Sequence, residues 1–143
     1  MDEMQRLSNE LVVLAARLVR DVRRRNVDLP AASTRLMSLL DELGPSTVGR
    51  LAEHDRCSQP TMTGLVKGMV ERGWAQRGPH PADSRAHLVS LTPLGRSTLA
   101  TLRRHNADLV AERIAASGRS VDDLRTAVAL LGAVLPTTQE GTR

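Results

Sequence analysis

A mainly α-helical chain carrying one small β-hairpin wing is what this sequence predicts, and three observations predict it. From Gln59 to Val70 the apolar residues Met62, Leu65, Val66, Met69 and Val70 recur at the i, i+3, i+4, i+7, i+8 spacing of a helix with one buried stripe. Only Asp55, Arg56 and Cys57 part that helix from a shorter one before it, a separation that forces the two to cross steeply. After it, Trp74–Arg77 and His87–Leu91 have strand-like composition or alternation, and Gly and Pro punctuate the stretch from Gly78 to Ser84 between them. Helix, tight turn, helix and hairpin in that order make a winged helix-turn-helix, and helices flank it at both ends of the chain.

The elements have local justifications in turn. Leu7, Leu11, Leu14, Leu18 and Val22 form an apolar stripe on a first helix. Arg20, Arg23, Arg24 and Arg25 gather at its C-terminal end, where cations complement the helix dipole, so their reading is structural before it is phosphate-binding. Ser46 is expected to cap the short helix, whose apolar positions are Val48, Leu51 and Ala52, while Ser58 caps the next and Gly73 stops it. Thr92 and Pro93 cap and open a long helix running toward Ala116. Ser120 and Asp123 have the spacing of a capping box for a last helix, whose stripe is Leu124, Val128, Leu131 and Leu135 and which Pro136 ends. The polar tail 137–143 is expected to be disordered.

Subtracting the buried stripe from the helix after Ser58 leaves Gln59, Pro60, Thr61, Thr63, Gly64, Lys67 and Gly68 on its other face. Small residues there allow close approach to base edges, and Gln59, Thr61, Thr63 and Lys67 supply the donors and acceptors that bases and phosphates need. Arg77, Asp83, Ser84, Arg85 and His87 lie on or beside the hairpin loop, which makes its tip a cationic finger suited to a narrow, electronegative minor groove. Asp83, two residues before Arg85, is expected to orient it. The net charge is +4, and between Arg56 and Arg104 eight basic residues face two acids, an excess placed where a polyanion would bind. Double-stranded DNA is the expected partner.

Two motifs are more specific. The hairpin carries D-x-R-x-x-x-V-x-L-T followed after two residues by G-R, as Asp83, Arg85, Val89, Leu91, Thr92, Gly95 and Arg96, and the helix before it opens S-x-P-T-x-T, as Ser58, Pro60, Thr61 and Thr63. On these residues, and over nearly its whole length, the chain resembles the MarR (multiple antibiotic resistance regulator) family of bacterial transcription factors. The resemblance implies a homodimeric repressor on a pseudo-palindromic operator, with recognition helices in successive major grooves and wings in the flanking minor grooves. It makes Arg85 the minor-groove residue and Asp83 its support, and it implies release by a small aromatic or anionic effector. Two positions depart from the pattern: Gly64 stands where many relatives have arginine, and Asp55-Arg56 replaces a more usual Leu-Gly pair.

At 143 residues and 41% hydrophobic composition the chain reads as one domain, with residues 30–96 as the DNA-binding lobe and 1–29 and 97–136 as the helical dimerisation region. No run of 18 apolar residues and no signal-peptide pattern is present, which points to the cytoplasm and away from a membrane partner. A single cysteine excludes an internal disulfide framework. Enzymatic motifs are missing, and His54, His80, His87 and His105 have no metal-ligand spacing, so neither catalysis nor a cofactor is expected. A winged-helix module that binds only proteins is the alternative class; the polar helix face and basic wing argue against it. Oxidation of Cys57 would disturb the approach of the recognition helix, yet a small packed hydrophobe is the default for that position. With no Phe or Tyr and Trp74 expected in the core at the wing base, an aromatic effector would rest on aliphatic and Met surface beside an arginine.

Overall fold

The computed structural model describes residues 1–26 and 28–136, so the tail 137–143 lies outside the described residues. The chain divides into two compact units, Met1–Ala31 and Ala32–Arg143. The first holds α1 (Glu3–Arg24), opened by a capping box in which Asp2 Oδ1 accepts the Gln5 amide at 2.8 Å and Gln5 Oε1 accepts the Asp2 amide at 3.0 Å. Arg23 and Arg24 occupy its last turn and Arg25 caps it. Along its apolar stripe Leu7, Leu14 and Leu18 are exposed, Leu11 is half-buried and Val22 is buried.

The remaining elements are α2 (Ala31–Leu43), α3 (Val48–Asp55), α4 (Gln59–Glu71), β1 (Ala75–Pro79), β2 (His87–Leu91), α5 (Pro93–Ala116) and α6 (Val121–Val134). α2 is an element that the sequence motifs did not mark. It buries Leu36, Met37 and Leu40 in a core built otherwise from Leu51, Met62, Val66, Met69, Trp74, Val89, Leu91, Leu99 and Leu102. The two strands pair antiparallel, Ala75 with Leu91 through Pro79 with His87. β1 starts one residue later than Trp74 and runs two beyond Arg77, taking in Gly78 and Pro79, which the sequence had suggested for the loop. Proline is tolerated there because it ends an edge strand, where no ladder hydrogen bond is lost.

Ser46 does not cap α3. Its amide donates to Val89 O at 3.0 Å and its carbonyl accepts from Val89 N at 2.8 Å, an isolated bridge that adds a rung beside the hairpin. Its hydroxyl donates to Gly44 O at 2.9 Å, so the residue is buried with its polar groups spent on tertiary pairing. Thr47, with extended backbone, takes the capping role and accepts from the Arg50 amide at 3.2 Å.

The turn after α3 is tighter than the sequence suggests, because Asp55 belongs to the helix and only Arg56 and Cys57 precede the Ser58 cap. Arg56 sits at φ 52°, ψ 45°, the one non-glycine with positive φ among the described residues. It occupies the left-handed position for which a glycine is the usual device, at a steric cost of about 1–2 kcal/mol. Its amide bonds to Glu53 O at 3.3 Å and the Cys57 amide to Ala52 O at 3.1 Å, closing the end of α3.

Thr92 caps α5 by accepting from the Gly95 amide at 3.0 Å, and Pro93 occupies the first turn. α6 has the expected capping box, with Ser120 Oγ and Asp123 Oδ2 each accepting the other's amide at 3.1 Å. It ends at Val134, because Leu135 turns extended (ψ 138°) as a residue before proline does. No residue of α6 is buried, and Leu124, Val128, Leu131 and Leu135 are all exposed.

Candidate nucleic-acid interface

The interface is built outward from the buried side of α4. Met62, Val66 and Met69 are at most 1% exposed, so the rotation of this helix about its axis is fixed by the core. That rotation leaves Ser58, Gln59, Pro60, Thr61, Thr63, Gly64 and Lys67 exposed. Ser58 Oγ accepts the Thr61 amide at 3.2 Å and donates to Thr61 Oγ1 at 2.8 Å, so these two hydroxyls hold the helix start. The side chains of Gln59, Thr63 and Lys67 are exposed and make no hydrogen bond among the described residues, so their donors and acceptors are unspent. A Cβ added at Gly64 or Gly68 would meet nothing within 4 Å, which keeps the middle of this face low. Gly49 on α3 is a supporting residue missed by the sequence reading: a Cβ there would come within 3.2 Å of Gln59 Nε2.

α4 closes in a Schellman motif, with Trp74 N bonded to Met69 O at 2.9 Å and Gly73 N to Val70 O at 3.0 Å. Gly73 has φ +75°, which only a residue without Cβ adopts freely. Trp74 is in the core, as expected, and the Arg72 guanidinium lies over its ring at 4.9 Å from the centroid. The Thr92 amide bonds to Trp74 O at 3.0 Å and its hydroxyl donates to Gly73 O, so helix, strand and α5 meet at one joint.

Beyond that joint Arg77, Asp83, Ser84, Arg85 and His87 are all exposed. Asp83 Oδ1 accepts the backbone amide of Arg85 at 2.9 Å, and Asp83 O accepts from Ala86 N at 3.2 Å. Asp83 therefore shapes the loop backbone on which Arg85 is carried, and holds it through the main chain. The Arg85 guanidinium has no hydrogen bond or ion pair among the described residues. His80 Nδ1 accepts the Ala82 amide at 3.0 Å, a second local brace in the tip.

Two ion pairs lie outside anything legible in local sequence. Arg35 on α2 engages Asp55 through Nε–Oδ1 at 2.6 Å and Nη2–Oδ2 at 3.0 Å, a fork-to-carboxylate pair that ties α2 to the end of α3. The hydrogen bond to Asp55 raises the proton affinity of Arg35 above the ordinary arginine range, against the opposing effect of partial burial. Arg103 on α5 reaches Asp41 on α2 at 2.7 Å. Cys57 is half-buried and its amide is bonded within the turn, and neither observation favours a redox role over packing. Among the described residues no cluster of His, Cys, Asp or Glu could hold a metal, and no helix is long and apolar enough to cross a membrane.

A helix with a locked inner face and a polar outer one, joined rigidly to a cationic hairpin, defines a winged helix-turn-helix DNA-binding regulator. Residues 29–87 match the MarR family. Over 138 residues the chain is 35% identical to the HTH-type transcriptional regulator MT0903.1 of Mycobacterium tuberculosis, covering 94% of this chain and 96% of that one. Its fold is similar to that of the transcriptional regulator Tm0710 from Thermotoga maritima, with a TM-score of 0.75 at 22% identity, covering 90% of this chain and 94% of the other. It is also similar to a MarR mutant from E. coli complexed with operator DNA, with a TM-score of 0.59 at 22% identity over 93% and 94% of the two chains. The chain belongs to the MarR family of helix-turn-helix transcriptional regulators.

Proposed function

We propose that this regulator is a cytoplasmic, non-enzymatic homodimer that represses transcription by occupying a pseudo-palindromic operator. Each α4 lies in a major groove and each wing tip enters the neighbouring minor groove through Arg85. The observation that carries this reading is the exposed α4 face from Ser58 to Lys67, whose side chains Gln59, Thr63 and Lys67 have no hydrogen-bond partner among the described residues while the opposite side is locked in the core. A single copy reads only a half-site, and the exposed leucines of α1 (Leu7, Leu14, Leu18) and of α6 (Leu124, Leu131, Leu135) offer the apolar surface for pairing two copies. Repression follows the family pattern.

Release by a small aromatic or anionic effector belongs to the same reading. The open cleft of about 310 Å³ lined by Ile114, Ser117, Arg119, Asp123, Leu124 and Ala127 offers aliphatic surface and one arginine, with the Asp123 carboxylate, which accepts the Ser120 amide, on the same wall. Unchanged release of Arg119→Ala by an aromatic carboxylate would remove that cleft from consideration.

The test is fluorescence-anisotropy binding to labelled duplex from upstream of the protein's own coding region, against a scrambled duplex, across a salt series. Tight, salt-sensitive binding that prefers the native duplex and saturates at two protomers per site is expected. Absence of binding to either duplex would overturn the reading in favour of a protein-interaction module.

A further inference from the structure

We propose that Arg56, in the turn between α3 and α4, clamps a phosphate of the DNA backbone beside the start of the recognition helix. The proposal rests on the DNA-binding reading above and assigns it a contact outside both the recognition face and the wing. Arg56 holds φ 52°, ψ 45°, a conformation that glycine adopts freely and a residue with Cβ does not. The side chain returns nothing to the fold in exchange: it is exposed and makes no hydrogen bond or ion pair among the described residues. The neighbouring carboxylate that could have neutralised it, Asp55, is held in two hydrogen bonds by Arg35. A strained position thus keeps a cation without a hydrogen bond or ion pair among the described residues, and the acid next to it in sequence, Asp55, is already occupied.

Its place in the chain says what that cation can meet. Arg56 stands two residues before Ser58, the cap of α4, where the amides of the first turn and the helix dipole favour an anion. A turn that precedes the recognition helix reaches the strand flanking the groove, whereas the helix itself reaches base edges within it. A delocalised, permanently charged fork suits a phosphate, and such a contact fixes register without reading sequence.

Four full-length proteins test this: the parent, Arg56→Gly, Arg56→Asn and Arg56→Lys, each followed by thermal melting and by anisotropy on labelled duplex DNA from low to moderate salt. Any duplex serves, because phosphate contacts carry no sequence. Arg56→Gly should melt a few degrees higher than the parent, because the strain is relieved, and yet bind about tenfold more weakly at low salt. The slope of log K against log salt should flatten by about 0.9 per protomer in both the Gly and the Asn variants, and Arg56→Lys should keep the parent slope. Parent slopes in the Gly and Asn variants would overturn the proposal whatever their affinities, since a residue acting only through turn geometry leaves the slope unchanged, and the DNA-binding reading would stand. If the parent itself shows no salt-dependent binding to DNA, that reading falls and the proposal with it.

Discussion

A Cβ at position 95 would lie 2.1 Å from the carbonyl oxygen of Trp74, so the first turn of α5 rests directly on the backbone at the base of the wing. The same carbonyl accepts the Thr92 amide at 3.0 Å, and Thr92 Oγ1 accepts that of Gly95 at 3.0 Å, which pins the approach from both sides. Backbone cannot step aside as a flexible side chain can. Gly95→Ala should therefore destabilise the fold by about 2–3 kcal/mol, the upper range for overpacking. Urea unfolding measures it, and an unchanged midpoint would show that the joint is slack.

The Arg35–Asp55 pair should behave as a coupled unit. The Asp55 side chain is only 10% exposed against 43% for Arg35, so removing the arginine strands a carboxylate with little water around it. Arg35→Ala should cost about 1–2 kcal/mol, and Arg35→Lys should recover part of that, because an ammonium cannot reproduce the two-pronged geometry. The folded-state proton affinity of Arg35 is raised, so its contribution is complete below the ordinary arginine range and is lost only as the pH climbs past it. Stability from neutral to mildly alkaline pH should be unaffected by this group, and the measurement of choice is a double-mutant cycle of Arg35→Ala and Asp55→Ala. Strictly additive losses would mean that the pair contributes no coupling.

At the wing, Arg85 and Asp83 should separate by readout. Arg85→Ala removes an exposed guanidinium with no partner among the described residues, so melting should hold while DNA affinity falls by about 1–2 kcal/mol. Asp83→Ala leaves the guanidinium but frees the Arg85 amide it now accepts at 2.9 Å, and should produce a smaller loss through a loosened tip. Parent-like affinity of Arg85→Ala at moderate salt would remove the wing from the interface.

Gly64 offers a gain. Nothing lies within 4 Å of a Cβ built there, so Gly64→Ala should stabilise α4 by about 0.5–1 kcal/mol through helix propensity alone. Gly64→Arg adds a guanidinium to this open face and should steepen the salt dependence of DNA binding by about 0.9 per protomer. An unaltered slope would place residue 64 away from the phosphates.

Much of the DNA-binding lobe is legible in the sequence because its determinants are local. The stripe from Met62 to Val70, the Ser58 and Thr92 caps and the Gly73 stop act within a turn or two of themselves, as the Ser120 cap does on α6. What escapes is long-range. Ser46 and Thr47 are equally good caps on paper, and only the pairing of Ser46 with Val89, far along the chain, decides between them. Arg35 and Asp55 lie 20 residues apart and announce no relation. α2 opens after Pro30 with Ala, Ser and Thr ahead of its first buried leucine, so its start carries little local signal, and its tertiary packing fixes it. The left-handed Arg56 is of the same kind: the tightness of the turn demands the conformation, and the residue type does not reveal it.

Trp74, packed under Arg72 where α4 gives way to β1, is the sole aromatic side chain among 143 residues. With no tyrosine or phenylalanine to absorb beside it, the near-ultraviolet light this protein takes up and re-emits comes from that one ring. The stacked guanidinium makes its colour and lifetime sensitive to any shift of the recognition helix against the hairpin. The molecule thus carries a built-in optical gauge at the joint between α4 and the wing, read without a label as DNA or an effector is added.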